Sequence, residues 1–218
     1  MWISVQGVFL FIRRWPVIPV VVMSLIVIGA VFAPLIAPFD PQDGDLRARS
    51  LPPFWLEGGN TTHLLGTNNM GQDMFSRLLF GARISLFVAT IAVVFGLFAG
   101  TLTGIVAGYY GGLIDEVLMR LVEMRASLPI LLIAMIVEIS VGPSLGMVIA
   151  LLAVSSWSAG ARNIRGEVLS LRTREYVSMA KVMNASDLRV IWRHLLPNVM
   201  HVVIVITTLR TGSMIIAE

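Results

Sequence analysis

The sequence predicts an all-α fold: a polytopic bundle of membrane helices carrying a two-helix hairpin on a water-facing side. Three observations lead there. Of 218 residues, 56% are hydrophobic and only 13% charged, with a mean hydropathy of +0.85, whereas soluble domains carry about a quarter charged residues. Apolar runs of bilayer length recur along the chain. Between two of them, segment 174–198 concentrates charge and still shows helical periodicity.

A bilayer core needs roughly 20 apolar helical residues, because each backbone polar group must be satisfied within the segment. Five spans meet this, near 17–37, 84–108, 118–140, 144–161 and 199–218. Residues 1–16 form a tail in which Arg13 and Arg14 precede the first span, and that span has the length of a retained anchor rather than a cleaved signal. The positive-inside rule then puts the N-terminus in the cytoplasm. Alternating crossings leave 38–83 outside and 162–197 inside. The charges agree: four Arg against five acids in the outer segment, six Arg and one Lys against three acids in the inner one.

In the loop 38–83, Pro38, Pro41, Pro52 and Pro53 predict an irregular start. From Asp73, the spacing of Phe75, Leu78, Leu79 and Ala82 predicts an interfacial helix leading into the second span. His63 has no second ligand at useful spacing and reads as a solvated loop histidine. The remainder, 84–218, forms the transmembrane domain. In its first helix Gly96, Gly100, Gly104 and Gly108 share one face and invite close helix approach, either within the chain or at a subunit interface. Gly111, Gly112 and Asp115 mark a turn. Pro129 predicts a kink or local unwinding in the third span.

Ionisable groups at membrane depth are costly and mark partners or pathways. Glu138 is either interfacial, four residues before Gly142, or part of a pathway. Arg210 lies deeper and either lines a translocation path or pairs structurally. Glu218 is the last residue of the sequence.

Segment 162–197 divides at Asn184, Ala185 and Ser186. Tyr176, Met179, Ala180 and Met183 share one face before the division. Leu188, Ile191, Trp192 and Leu195 share one after it. Ser186 and Asp187 suit the start of the second helix, Arg193 and His194 its end, and Pro197 is expected to stop it.

The residue inventory excludes several functions. There is no cysteine, hence no disulfide framework, thiolate metal site or cysteine nucleophile. The sequence pI of about 9.9 does not indicate nucleic acid, because the bases cluster beside apolar spans, as lipid orientation requires. No GxxxxGK[ST] phosphate-binding loop occurs. Neither His63, His194 nor His201 has a catalytic grouping beside it.

The stretch Arg174–Asn198 resembles, without a gap, the cytoplasmic loop of permease subunits of binding-protein-dependent ABC importers, in the C-type permease of the dipeptide/oligopeptide/nickel group. His63–Leu86 and Gly108–Arg120 resemble two further shared stretches. The resemblance implies that the hairpin docks on a separate ATPase subunit. Glu175, Ser178, Ala180, Asn184, Ala185 and Ser186 would make that coupling, together with Asp187, Arg189, Arg193, His194 and Pro197. It also implies a homologous second permease, two ATP-binding subunits that carry ATP and magnesium, and an extracytoplasmic solute-binding protein. No catalytic residue, metal or cofactor is expected in this chain, which belongs in a prokaryotic inner membrane. The family has one more membrane helix after a Glu-Ala-Ser stretch, so a sixth span is expected beyond Glu218.

This sequence departs from the pattern where Ser178 replaces a glutamate, Met179 an alanine and Asn184 a glycine. Glu175 can supply the lost carboxylate from nearly the same face, and asparagine follows glycine in tolerating a left-handed turn. In the outer motif Asn68 and Gln72 replace an acid and a base, a compensating pair of losses. The rival readings are a secondary transporter or channel subunit working without an ATPase, a membrane-embedded hydrolase, and a scaffolding bundle.

Overall fold

The computed structural model describes residues 17–217. The tail 1–16, with Arg13 and Arg14, and Glu218 lie outside the described residues. Regular structure among the described residues is helical, apart from two isolated β-bridges, Gly44–Gln72 and Thr67–Asp73. The chain divides into two units between Leu86 and Phe87.

The first unit opens with α1 (Val17–Val31) and α2 (Ala33–Ile36). Pro34, in the first turn of α2, lacks an N–H and its ring crowds the carbonyl four residues back, which breaks the helix at Phe32. Gly29 faces Leu79 so closely that an added Cβ would lie 3.1 Å from Cδ2. A 3₁₀ turn at Leu46–Ala48 follows, and then irregular chain up to α3 (Met74–Tyr110).

Asp73 organises this irregular chain. It is fully buried and stands immediately before α3, where its Oδ2 accepts from the Ser76 amide at 2.8 Å, satisfying one of the free N–H groups at the helix start. Its Oδ1 lies 3.0 Å from His63 Nδ1. An ionised carboxylate only accepts, so Nδ1 carries the proton. His63 is thus not a solvated loop histidine: it is largely buried, paired with Asp73 and packed on Phe39 at a ring-centroid distance of 4.8 Å. The loop must bury the imidazole to bring His63 across from the helix start, ten residues later. Asn68 and Gln72 do compensate each other, since Asn68 Nδ2 donates to Gln72 Oε1 at 2.9 Å.

Burial alone would raise the Asp73 pKa, but hydrogen bonds from the Ser76 amide, His63 and the Ser76 hydroxyl outweigh it, leaving the carboxyl below its usual 3.8. A depressed acid contributes stability that is fully present above its unfolded pKa and lost as pH falls through the folded value. Asp73→Asn is therefore expected to weaken segment 38–73 at neutral pH by about 1–3 kcal/mol, read as faster limited proteolysis of that segment. The difference from wild type should narrow only below pH 3.8.

The second unit contains the rest of α3, then α4 (Gly112–Ser127), α5 (Ile130–Val141), α6 (Leu145–Leu171), α7 (Glu175–Val182), α8 (Asp187–Val190), a π-helical turn (Ile191–Leu195) and α9 (Leu196–Ala217). Three stretches are long and apolar enough to cross a membrane: Met74–Tyr110, Leu145–Leu171 and the continuous Asp187–Ile216. The pair α4–α5, bent by 79°, is a fourth if taken as one broken span. The shorter α1 is apolar over 15 residues.

Three expectations need correction. The interfacial helix and the second span are one helix of 37 residues, about 55 Å long at 1.5 Å per residue, because no proline interrupts 74–110. The 144–161 span continues as helix to Leu171, carrying Arg162 and Arg165 with it. Pro197 does not stop its helix. The Leu196 amide reaches back to the Ile191 carbonyl, a π-type bond, so the ladder has already changed register when it meets a residue without an N–H. The Asn198 side chain then donates to the His194 carbonyl at 2.5 Å, and the helix runs on.

Pro129 does break the third span. Leu128 and Pro129 are extended, with ψ near +125°. The four-glycine stripe packs within the chain, against α6. A Cβ added to Gly100 would lie 2.7 Å from the Trp157 carbonyl oxygen, and one on Gly104 would lie 2.7 Å from that of Ala161. Beside them, Trp157 Nε1 donates to Thr103 Oγ1 at 3.0 Å. The core follows this seam and runs through Ile164 and Val168 into Val177, Val190 and Leu195 of the hairpin.

Candidate functional site

The hairpin α7–α8 is closed by Asn184, whose φ of +60° is left-handed. The Ala185 amide donates to the Ala180 carbonyl at 3.0 Å and the Asn184 amide to the Lys181 carbonyl at 2.9 Å. Together these are the paired bonds of a Schellman helix end, with asparagine in the position glycine favours. Ala180 and Ala185 pack on the core, so the turn is anchored rather than free. Ser186 occupies the position before α8, but its hydroxyl makes no capping bond; the Val190 amide bonds its carbonyl instead.

Asp187 is recruited elsewhere. The Tyr109 hydroxyl donates to Asp187 Oδ1 at 2.6 Å, bridging 78 residues of sequence. Tyr109 is only 5% exposed, and Lys181 Nζ sits 4.6 Å from its ring centroid, within cation–π range. The α3 end is tied further by Arg172 Nη1, which donates to the Gly108 carbonyl at 3.0 Å. Arg165 grips Asp115 with two parallel bonds, 2.5 Å from Nε and 2.6 Å from Nη2, joining α6 to α4. Tyr109, Asp115, Arg165 and Arg172 were not singled out from sequence as site residues. Tyr109 and Asp115 lie in the Gly108–Arg120 stretch noted above, whereas Arg165 and Arg172 carried only the signal of a polar residue beyond an apolar run, and neither signal names a partner.

The apolar residues of the hairpin divide between its two sides. Val177 and Val190 are fully buried, with Leu195, whereas Met179, Val182, Met183, Leu188 and Trp192 are exposed, Val182 at 87% and Met183 at 83%. A shallow groove of about 470 Å³ lies along Thr173, Glu175, Ser178, Met179, Val182 and Met183. The hairpin is thus apolar on both sides, one turned to its own bundle and one left open. Glu175, Arg189 and Arg193 are exposed around it, and His194 is half-buried near Tyr176, with ring centroids 6.1 Å apart.

Residues 100–218, which hold this hairpin, match the family described as the binding-protein-dependent transport system inner membrane component. The chain belongs to that family. Residues 13–53 match the N-terminal TM domain of oligopeptide transport permease C. Relatives include the dipeptide transport system permease protein DppC of Haemophilus influenzae, 36% identical over 94% of this chain and 69% of that protein. The Bacillus subtilis protein of the same name is 38% identical over 90% of this chain and 60% of the relative, and the oligopeptide transport system permease protein OppC of Bacillus subtilis is 31% identical over 94% and 66%. The chain therefore spans about two thirds of the length of these relatives.

The two pathway candidates are separate in character. Glu138 is exposed, and its carbonyl accepts from the Gly142 amide at 2.9 Å. Arg210 is half-buried in α9. Among the described residues no group of three or more metal-ligating side chains occurs.

Proposed function

We propose that this chain is a permease subunit of a binding-protein-dependent importer for dipeptides or similar small solutes, and that its α7–α8 hairpin docks on a separate ATPase subunit. The observation that carries this reading is the open apolar face of Met179, Val182 and Met183, continued by Leu188 and Trp192. Arg174, Glu175, Lys181, Arg189 and Arg193 surround it, and that density of charge keeps the segment out of the hydrocarbon core. An exposed apolar patch rimmed by polar residues marks a protein contact. The N-terminus and the hairpin face the cytoplasm in this reading, and segment 38–73 meets the solute-binding protein. A homologous second permease completes the pathway, and ATP with magnesium is bound by the partner subunits.

Closure of the ATPases would move the hairpin. The Tyr109–Asp187 and Arg165–Asp115 bonds would then carry that movement to α3, α4 and α6, whose ends they join.

The deciding experiment is co-purification of the ATPase subunit with the tagged chain. Val182→Asp together with Met183→Asp places charge on the docking face without touching the core, and is expected to lose the ATPase while the chain stays in the membrane. Asn184→Val forces a β-branched residue into a left-handed backbone at about 1–2 kcal/mol and should lower uptake, whereas Asn184→Gly should not. Arg189→Glu with Arg193→Glu should uncouple ATP hydrolysis from uptake. Retention of the ATPase and of full uptake in these variants would overturn the docking assignment.

A further inference from the structure

The outer loop holds three large apolar side chains out in solvent. Phe54 is 51% exposed, Trp55 59% and Leu56 53%. They stand on a turn that is fixed at both ends. The Phe54 amide donates to the Leu64 carbonyl at 3.3 Å, the Leu56 amide to that of Pro53 at 3.0 Å, and the Gly59 amide to that of Leu56 at 3.0 Å. A Cβ added to Gly59 would lie 2.2 Å from the Pro53 carbonyl oxygen, so the closure leaves no room for a side chain. The Phe54 and Trp55 rings meet edge to face, with centroids 5.2 Å apart. An exposed apolar patch marks a contact, and one already held in shape loses little freedom on binding.

The surroundings decide between lipid and protein. Segment 38–73 exposes Asp40, Asp43, Asp45 and Glu57 against Arg47 and Arg49, and Arg49 is engaged with the Asn69 carbonyl at 2.8 Å. None of the four acids has a salt-bridge partner among the described residues. Asp40, Asp43 and Asp45 line a cavity of about 440 Å³ together with Phe39 and His63. His63 precedes Leu64, whose carbonyl holds the Phe54 amide, so the cavity and the apolar turn are neighbours. Membrane surfaces attract basic segments through their anionic headgroups, and an acidic surface is repelled by them. A protein with an apolar pocket and basic side chains around it matches both parts.

We propose that Phe54, Trp55 and Leu56 anchor the solute-binding protein to the outer loop, and that Asp40, Asp43 and Asp45 meet basic side chains beside that anchor. This inference rests on the permease reading, which brings segment 38–73 to that partner without naming the residues that bind. Aromatic side chains bury large areas, and tryptophan is prominent among binding hot spots. Exposed acids act differently: they speed the encounter more than they tighten the complex, and salt screens them.

The full transporter in proteoliposomes is titrated with its purified solute-binding protein, loaded with dialanine, while ATP hydrolysis is followed. F54S/W55S is expected to raise the half-maximal concentration of binding protein about 10- to 100-fold. The maximal rate should stay at the wild-type level. D43K/E57K should raise the half-maximal concentration in low salt and not in high salt. The chain has no cysteine, so W55C carries its only thiol. Labelled with benzophenone maleimide before reconstitution and then irradiated, W55C should yield a covalent product with the binding protein. A product with phospholipid alone overturns the proposal, as does an unchanged half-maximal concentration in either double variant. A wild-type transporter whose ATP hydrolysis the loaded binding protein does not stimulate removes the importer reading itself, a failure seen without any variant.

Discussion

Gly104→Leu is expected to prevent assembly of the bundle. A Cβ at residue 104 would stand 2.7 Å from the Ala161 carbonyl oxygen, 2.8 Å from Ile164 Cβ and 2.9 Å from the Arg165 amide nitrogen. Two of those three atoms are backbone and cannot rotate away, so α3 and α6 would have to separate. Separation would also strain the Trp157–Thr103 bond and the Arg165–Asp115 pair. Overpacking a core costs about 1–3 kcal/mol when side chains can adjust. Here they cannot, and a loss of about 3 kcal/mol or more is expected, read as absence of the protein from the membrane fraction or a collapsed Tm in detergent. Gly100→Leu should behave alike, since its added Cβ meets the Trp157 carbonyl oxygen at 2.7 Å. Gly166→Ala is the control. Nothing lies within 4 Å of its added Cβ, and alanine is favoured over glycine inside a helix by about 0.5–1 kcal/mol. Normal assembly of Gly104→Leu would show that the close approach of these helices is dispensable.

Asp187→Ala is expected to separate ATP hydrolysis from uptake. The substitution leaves the buried Tyr109 hydroxyl without an acceptor, at about 1–3 kcal/mol, and removes the side-chain bond between the hairpin and the end of α3. Tyr109→Phe deletes the same bond from the other side, but the released carboxylate stays at the exposed position 187, so its cost is nearer 1 kcal/mol. Both variants should keep the docking face intact, because Met179, Val182 and Met183 are untouched. The expected result is a transporter that retains its ATPase and hydrolyses ATP while uptake falls. Asp187→Asn keeps an acceptor oxygen and should lose less. Uptake that tracks ATP hydrolysis in all three variants would show that the bond stabilises the chain without transmitting movement.

Much of this architecture can be read directly from residues. The glycine spacing from Gly96 to Gly108 places four small residues on one face, and Pro129 marks the only break in its span. The left-handed turn at Asn184 follows from a residue type that tolerates positive φ. Pro197 misled because its effect depends on the hydrogen-bond register that reaches it, and a π turn six residues earlier is not encoded by any local pattern. Met179 and Leu188 were legible only as members of an apolar face. Periodicity reports that a face is apolar, and it is silent on whether the chain itself or a partner covers that face.

The sequence by itself determined the helical class, the apolar spans and the hairpin, because composition and period act within a few turns of one helix. Only the tertiary structure decided that the glycine stripe meets α6, that Asp187 leaves its helix start for Tyr109, and that Arg165 grips Asp115. Each of those pairs residues tens of positions apart, and nothing in the chemistry of one partner names the other until the fold has brought them together.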